Sequence, residues 1–196
     1  GGRGVQGMGT NEDDFVEHLL TTSTHDTILF FTNKGKVYRS KGYEIPEFGR
    51  TAKGLPIINL LEIDRDEWVN AIIPVEAFNE ESYLFFTTKY GISKRSPLAS
   101  FANIRTNGLI ALGLKEGDEL MSVKLTDGTK DIIIGTKDGL MIRFPETDVR
   151  SMGRTATGVK GISLREGDEV IGMDLLNEGE EILIVTRNGF GKRTPE

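Results

Sequence analysis

Chemistry in this 196-residue chain can come from only a few groups. At the start, "GGRGVQGMG" holds Gly2-x-Gly4-x-x-Gly7, the spacing of a turn that cradles a dinucleotide pyrophosphate. That turn needs a strand before it, a helix after it, and an acid about twenty residues on. Here nothing precedes it and an acidic turn follows, so the context excludes a phosphate cradle. His18 and His25 are the only histidines and lack partners at metal-ligand spacing, so neither a metal nor a catalytic role is expected of them. The acidic clusters "EDD", "RDE" and "GDE" could bind a cation or work as paired carboxylates. Each leads straight into an apolar strand, so turn formation is the expected role. No P-loop, activated nucleophile or acid/base pair is present, and the chain reads as non-catalytic, with no metal.

What does recur is a cation at a fixed place. Arg39, Arg95, Arg143 and Arg193 each lie four residues after a glycine: Gly35, Gly91, Gly139 and Gly189. The segments around them, 27–41, 82–97, 130–145 and 181–196, are each an apolar run, a Gly-ended turn and a second strand. That is a β-hairpin pattern, with glycine supplying the positive φ of the turn. The unbroken Ile132-Ile133-Ile134 suggests a strand covered on both faces. Pro97, Pro145 and Pro195 sit two residues past the arginine, where they would end the strand. An Arg-Thr…Gly element repeats in phase at 50–60, 105–114 and 154–164, and an acidic turn into a strand repeats at 64–75, 116–125 and 166–175. Gly4 and Gly7 align with Gly158 and Gly161, so the opening glycines are a copy of the Arg-Thr…Gly element. Trp68 aligns with Leu120 and Val170 and reads as core filling.

The period of about fifty residues, with about four strands in each, predicts an all-β array of propeller-like blades rather than one sandwich. The four hairpins place about four blade repeats in a single domain over 1–196. The 24 glycines fit the density of tight turns. No cysteine is present, which excludes disulfides and thiolate metal sites and fits a reducing cytoplasm. No apolar run is long enough for a membrane helix, and no secretion leader is seen.

A net charge of −6 argues at first against nucleic acid, but the charge is segregated. Residues 33–53, 84–109 and 132–165 carry +4, +4 and +3, while 54–83 and 166–185 carry −6 and −7. Hairpins and Arg-Thr loops are basic in every copy, and the acidic-turn strands are negative. Stacked around an axis, the basic segments would form a belt able to hold a phosphate backbone without reading bases. The expected DNA-binding residues are Arg3, Lys34, Lys36, Arg39, Lys41, Arg50, Lys94, Arg95, Arg105, Arg143, Arg154, Lys192 and Arg193. Joint charge reversal of Arg39, Arg95 and Arg143 is then expected to abolish binding.

"FFTNKGKVYR", "GRTAKG", "TKYGISKRSPL", "IRFPETDVR", "MGRTATGVKGI" and "GFGKRTP" together resemble, along the whole chain, the C-terminal domain of the bacterial DNA gyrase A subunit. Gly1, Gly2, Arg3 and Gly4 match the last four positions of that family's gyrase A box; the Gln and two basic residues before them are absent. The resemblance implies a β-pinwheel with strands exchanged between blades, whose basic rim wraps duplex DNA. It also implies bacterial, cytoplasmic and nucleoid-associated work with the gyrase B subunit, and with the rest of the gyrase A subunit. The domain itself would take no cofactor; ATP and magnesium would serve the holoenzyme, an ATP-dependent type II topoisomerase that introduces negative supercoils. The family usually has six blades, so four hairpins suggest an open arc or self-association through open strand edges. A topoisomerase IV-type domain and a propeller-like protein-interaction scaffold are the alternatives.

Overall fold

A computed structural model describes residues 27–41, 66–104 and 108–177. Eleven strands form three antiparallel sheets, with no α-helix among the described residues. The first hairpin is β1 (Thr27–Thr32) and β2 (Lys36–Lys41), followed by β3 (Val69–Val75). The second is β4 (Tyr83–Thr88) and β5 (Ile92–Pro97), followed by the short β6 (Leu109–Ile110) and by β7 (Leu120–Thr126). The third is β8 (Lys130–Thr136) and β9 (Met141–Pro145), followed by β10 (Val159–Lys160) and β11 (Val170–Asn177). Gly35, Gly91 and Gly139 close the three turns with φ of 74°, 91° and 90°. Pro97 and Pro145 end β5 and β9, and a short 3-10 turn follows each, at Leu98–Phe101 and Glu146–Asp148. The fourth hairpin lies outside the described residues.

The sheets run β3-β1-β2-β6, β10-β5-β4-β7 and β11-β8-β9. Each four-stranded sheet borrows its outermost strand. β6 follows the second hairpin yet pairs with β2 of the first blade, Lys36 opposite Ile110. β10 follows the third hairpin and pairs with β5 of the second, Ile92 opposite Lys160. A repeat in sequence and a blade in space are therefore different units, as the pinwheel resemblance implies. At the other edge β3 packs on β7 and β7 on β11, which puts these three strands innermost.

The apolar run of the second blade is buried on both faces because that blade is sandwiched between the first and the third. Successive side chains on a strand point to opposite faces. Leu84 and Phe86 join Leu29, Phe31 and Val37 in a core between the first two blades. Phe85, between them in sequence, joins Ile132, Ile134 and Val170 in a core between the second and third. Phe31, Phe86 and Phe101 meet at ring-centroid distances of 5.6 to 6.2 Å, with Phe31 edge-on to the other two, a favourable aromatic geometry.

The Arg-Thr…Gly element needs its glycine because the chain entering the borrowed strand passes too close to the neighbouring blade for a Cβ. A Cβ on Gly108 would lie 2.4 Å from the Tyr38 ring, and one on Gly158 would lie 2.5 Å from the Ser93 carbonyl oxygen. Both residues also hold positive φ, 85° and 103°.

Trp68 is not core filling: it is 44% exposed. The pairing registers explain the difference. Thr32, Thr88 and Thr136 face Val69, Leu120 and Val170, so Val69 fills the core place one residue on. The Trp68 carbonyl accepts from the Asn33 amide, as those of Glu119 and Glu169 accept from Lys89 and Lys137. Trp68 therefore stands where the other blades put a glutamate.

Candidate nucleic-acid interface

The acidic turns are structural, as their context suggests. Asp118 Oδ1 accepts from the amides of Tyr90 and Glu119 at 2.9 and 2.8 Å. Asp168 Oδ1 accepts from Asp138 and Glu169 at 3.0 and 2.8 Å. Burial opposes ionisation of Asp168, but the Thr136 hydroxyl and those two amides outweigh it and hold its pKa below the ordinary value. In the first blade Glu67 takes this place, buried and bonded to the hydroxyls of Thr32 and Tyr38. Lys34 pairs with Asp66 at 2.6 Å and lowers the pKa of that carboxyl by hydrogen bonding. Lys89 sits 3.7 Å from both Glu119 and Glu169. No metal-binding cluster of His, Asp or Glu occurs among the described residues.

The recurrent arginine is placed by its cross-strand partner. Arg39 pairs with Leu29, Arg95 with Phe85 and Arg143 with Ile133. Leu29 and Phe85 face the following blade, so their arginines run the same way. Arg39 Nη1 donates to the Ala102 carbonyl at 2.8 Å, just past the second hairpin. Arg95 Nε donates to the Val149 carbonyl at 2.9 Å, just past the third. Arg95 is 8% exposed, lies 4.5 Å over the Tyr83 ring, and has Nη1 3.7 Å from the buried Glu146 carboxylate. Glu146 also accepts from the Thr126 hydroxyl and the Lys130 amide at 2.7 and 2.8 Å.

Lys94, one position earlier, faces the preceding blade and is 0% exposed. Its Nζ donates to the Ala111 carbonyl at 2.6 Å and to that of Arg154, and sits over the Phe86 ring. Burial, with a smaller push from the Arg154 cation, lowers its pKa to about 7.

These placements correct part of the expected belt. Lys94 and Arg95 are interior residues and present no charge to a ligand outside. Arg39 is committed to Ala102, Arg154 donates to the Ile110 carbonyl, and Arg143 pairs with Asp131 at 2.8 Å. Lys34 is exposed but tied to Asp66, and Lys36 is half-buried on β2 at the outer side of its sheet. Lys41 closes β2. Arg3, Arg50, Arg105, Lys192, Arg193 and the box positions Gly1, Gly2 and Gly4 lie outside the described residues. Two exposed cations on the outer segments were passed over in the sequence: Arg150, beside the Val149 that receives Arg95, and Lys160 on the borrowed strand β10. Lys160 aligns with Gln6, inside the repeated glycine pair, a position that faces outward because no further strand covers it among the described residues.

A strand-exchanged array of antiparallel blades, each lent its outermost strand by the next repeat, defines a class of propeller-like β module. The chain belongs to the DNA gyrase C-terminal domain family of β-propellers, whose model matches residues 1–23, 26–76, 82–127, 130–177 and 180–196. It is 71% identical over 161 residues to a DNA gyrase A subunit from Halalkalibacterium halodurans, covering 82% of this chain and 19% of that protein. It is 61% identical over 158 residues to one from Streptococcus pneumoniae, covering 80% and 19%. The chain thus spans about a fifth of the curated relatives it matches. Among solved structures, a C-terminal domain of DNA topoisomerase IV superposes with a TM-score of 0.70 at 31% identity, over 84% of this chain and 52% of that one. A DNA gyrase A C-terminal domain gives 0.68 at 30% identity, over 87% and 54%.

Proposed function

We propose that this chain is the duplex-wrapping, non-catalytic module of a gyrase A subunit, serving ATP-dependent negative supercoiling by a holoenzyme that includes the gyrase B subunit. The observation that carries this reading is the separation of charge along each repeat: the hairpin and Arg-Thr segments are net basic, the acidic turns lead into the innermost strands, and Arg150 and Lys160 stand exposed on the basic segments. Such an edge holds phosphates by counterion release and needs no base contacts. Curvature comes from the blade array, and phosphate contacts offset the elastic cost of bending. The relatives from Halalkalibacterium halodurans, Streptococcus pneumoniae and Staphylococcus aureus, 71, 61 and 56% identical, are gyrase A subunits, which favours gyrase over topoisomerase IV as the parent.

Binding of random-sequence duplex, measured against salt, tests the reading. We expect log affinity to fall steeply with log salt, and Arg150→Gln and Lys160→Gln each to reduce the slope by about one, uniformly across sequences. Salt-independent binding would point to a protein-interaction scaffold and reject the wrapping reading.

A further inference from the structure

We propose that the arginine four residues after each turn glycine is the angular joint between consecutive blades, a positioning residue that sets the curvature of the DNA path. The inference rests on the wrapping reading and assigns these side chains a task other than holding phosphate. Two junctions carry it independently. Arg39 of the first blade grips the backbone just past the second hairpin, and Arg95 of the second grips the backbone just past the third, at 2.8 and 2.9 Å. Each also stacks on an aromatic ring, Arg39 5.6 Å from the Phe78 centroid and Arg95 4.5 Å from that of Tyr83.

The second junction is closed from both sides. The Met152 amide donates back to the Arg95 carbonyl at 2.8 Å, and residue 151 forms a parallel bridge to residue 95. A flat, five-donor guanidinium fixes direction as well as distance, which an ammonium point charge does not. Its face is set by the hairpin register, which pairs Arg39, Arg95 and Arg143 with the equivalent residues Leu29, Phe85 and Ile133. A small rotation allowed at each joint adds along the array, and the outer segments that meet DNA are carried with it. The sequence periodicity of the arginine is then the periodicity of the joints.

The test uses the full-length protein carrying this chain, assembled into its holoenzyme. Arg39→Met removes the joint without leaving a buried carboxylate unpaired. Arg95→Met is combined with Glu146→Leu, because Leu98 stands in the Glu146 place in the preceding blade. Arg95→Lys keeps the charge and loses the planar fork. Three quantities are read: affinity and salt slope for a random-sequence duplex, energy transfer between fluorophores on the ends of the bound duplex, and amide exchange at Met152.

For all three variants we expect affinity within about twofold of wild type and an unchanged salt slope. End-to-end transfer should be reduced in all three, and Met152 exchange about tenfold faster in the two variants at residue 95. A salt slope lower by about one per arginine lost, with transfer per bound duplex unchanged, would make these residues phosphate contacts and overturn the joint. So would an Arg95→Lys protein that matches wild type in transfer and exchange. Failure of the wild type to bind duplex would reject the wrapping reading itself, and unaltered Met152 exchange in the residue-95 variants would then reject the joint separately.

Discussion

At the scale of the residue, the chain shows how one basic side chain can do two different things depending on which way its strand faces. Lys94 and Arg95 are adjacent basic residues, both buried, yet one reaches back to the preceding blade and the other forward to the next. Their burial has different consequences. Arg95 lies beside the Glu146 carboxylate, whereas the Lys94 Nζ has no carboxylate partner among the described residues, and burial together with the Arg154 cation lowers its pKa to about 7. A lysine whose folded pKa lies below its unfolded value makes the unfolded state bind more protons between the two, so stability rises with pH across that window. The penalty is present in full below pH 7 and is relieved as pH rises from about 7 toward the ordinary lysine value. Thermal melts at pH 6.5 and pH 9 should therefore show a gain for the wild type that Lys94→Met lacks. Equal gains in both proteins would assign the pH dependence elsewhere.

At the scale of the element, the borrowed strand is the device that joins blades, and glycine is what lets it lie down. Gly158 begins the run into β10 with φ of 103°, and a Cβ there would meet the Ser93 carbonyl and Lys94 Cβ at 2.5 and 3.0 Å. Gly158→Ala must therefore lift β10 from β5 or distort a left-handed backbone that alanine disfavours. We expect a loss of about 1–3 kcal/mol in denaturant unfolding, with faster amide exchange at Gly161 and Ile162, which donate to the Gly91 carbonyl. Gly139→Ala, where φ is 90° but nothing lies within 4 Å, separates the two causes. It carries the backbone strain alone and should cost less, leaving Gly161 exchange unchanged. Equal losses at both sites would mean that strand crossing contributes nothing.

At the scale of the whole molecule, the cores lie between blades rather than within them, so no blade is a self-contained unit. Phe101 follows the second hairpin yet packs against Phe31 of the first blade and Phe86 of the second. Phe101→Ala should cost about 3–5 kcal/mol, the usual range for a fully buried phenylalanine. The loss should appear in amide exchange of β1 and β4 alike, because one ring supports both. Destabilisation confined to β4 would show that the blades unfold independently.

The fold was legible because an array repeats its physics. Turn glycines, strand-ending prolines and runs buried on two faces recur at one period, and the structure bears out all three where it describes them. The candidate site was legible only at the level of the segment. Net charge per segment marked which stretches of each repeat are basic, but it could not rank the cations within them. Lys94 and Arg95 were counted in the belt and are interior, whereas Arg150 and Lys160 were not counted and are exposed. Trp68 was misjudged by one residue, since a shift in register moves a side chain to the opposite face. The sequence by itself determined the blade, its turns and the sign of each segment, because these depend on residues close together along the chain. Only the tertiary structure decided which strand each blade lends its neighbour and which cations that exchange buries. The exchanged strands pair Lys36 with Ile110 and Ile92 with Lys160, and the arginines reach residues 63 and 54 positions on, so spacing along one repeat carries no record of the face that the next repeat will cover.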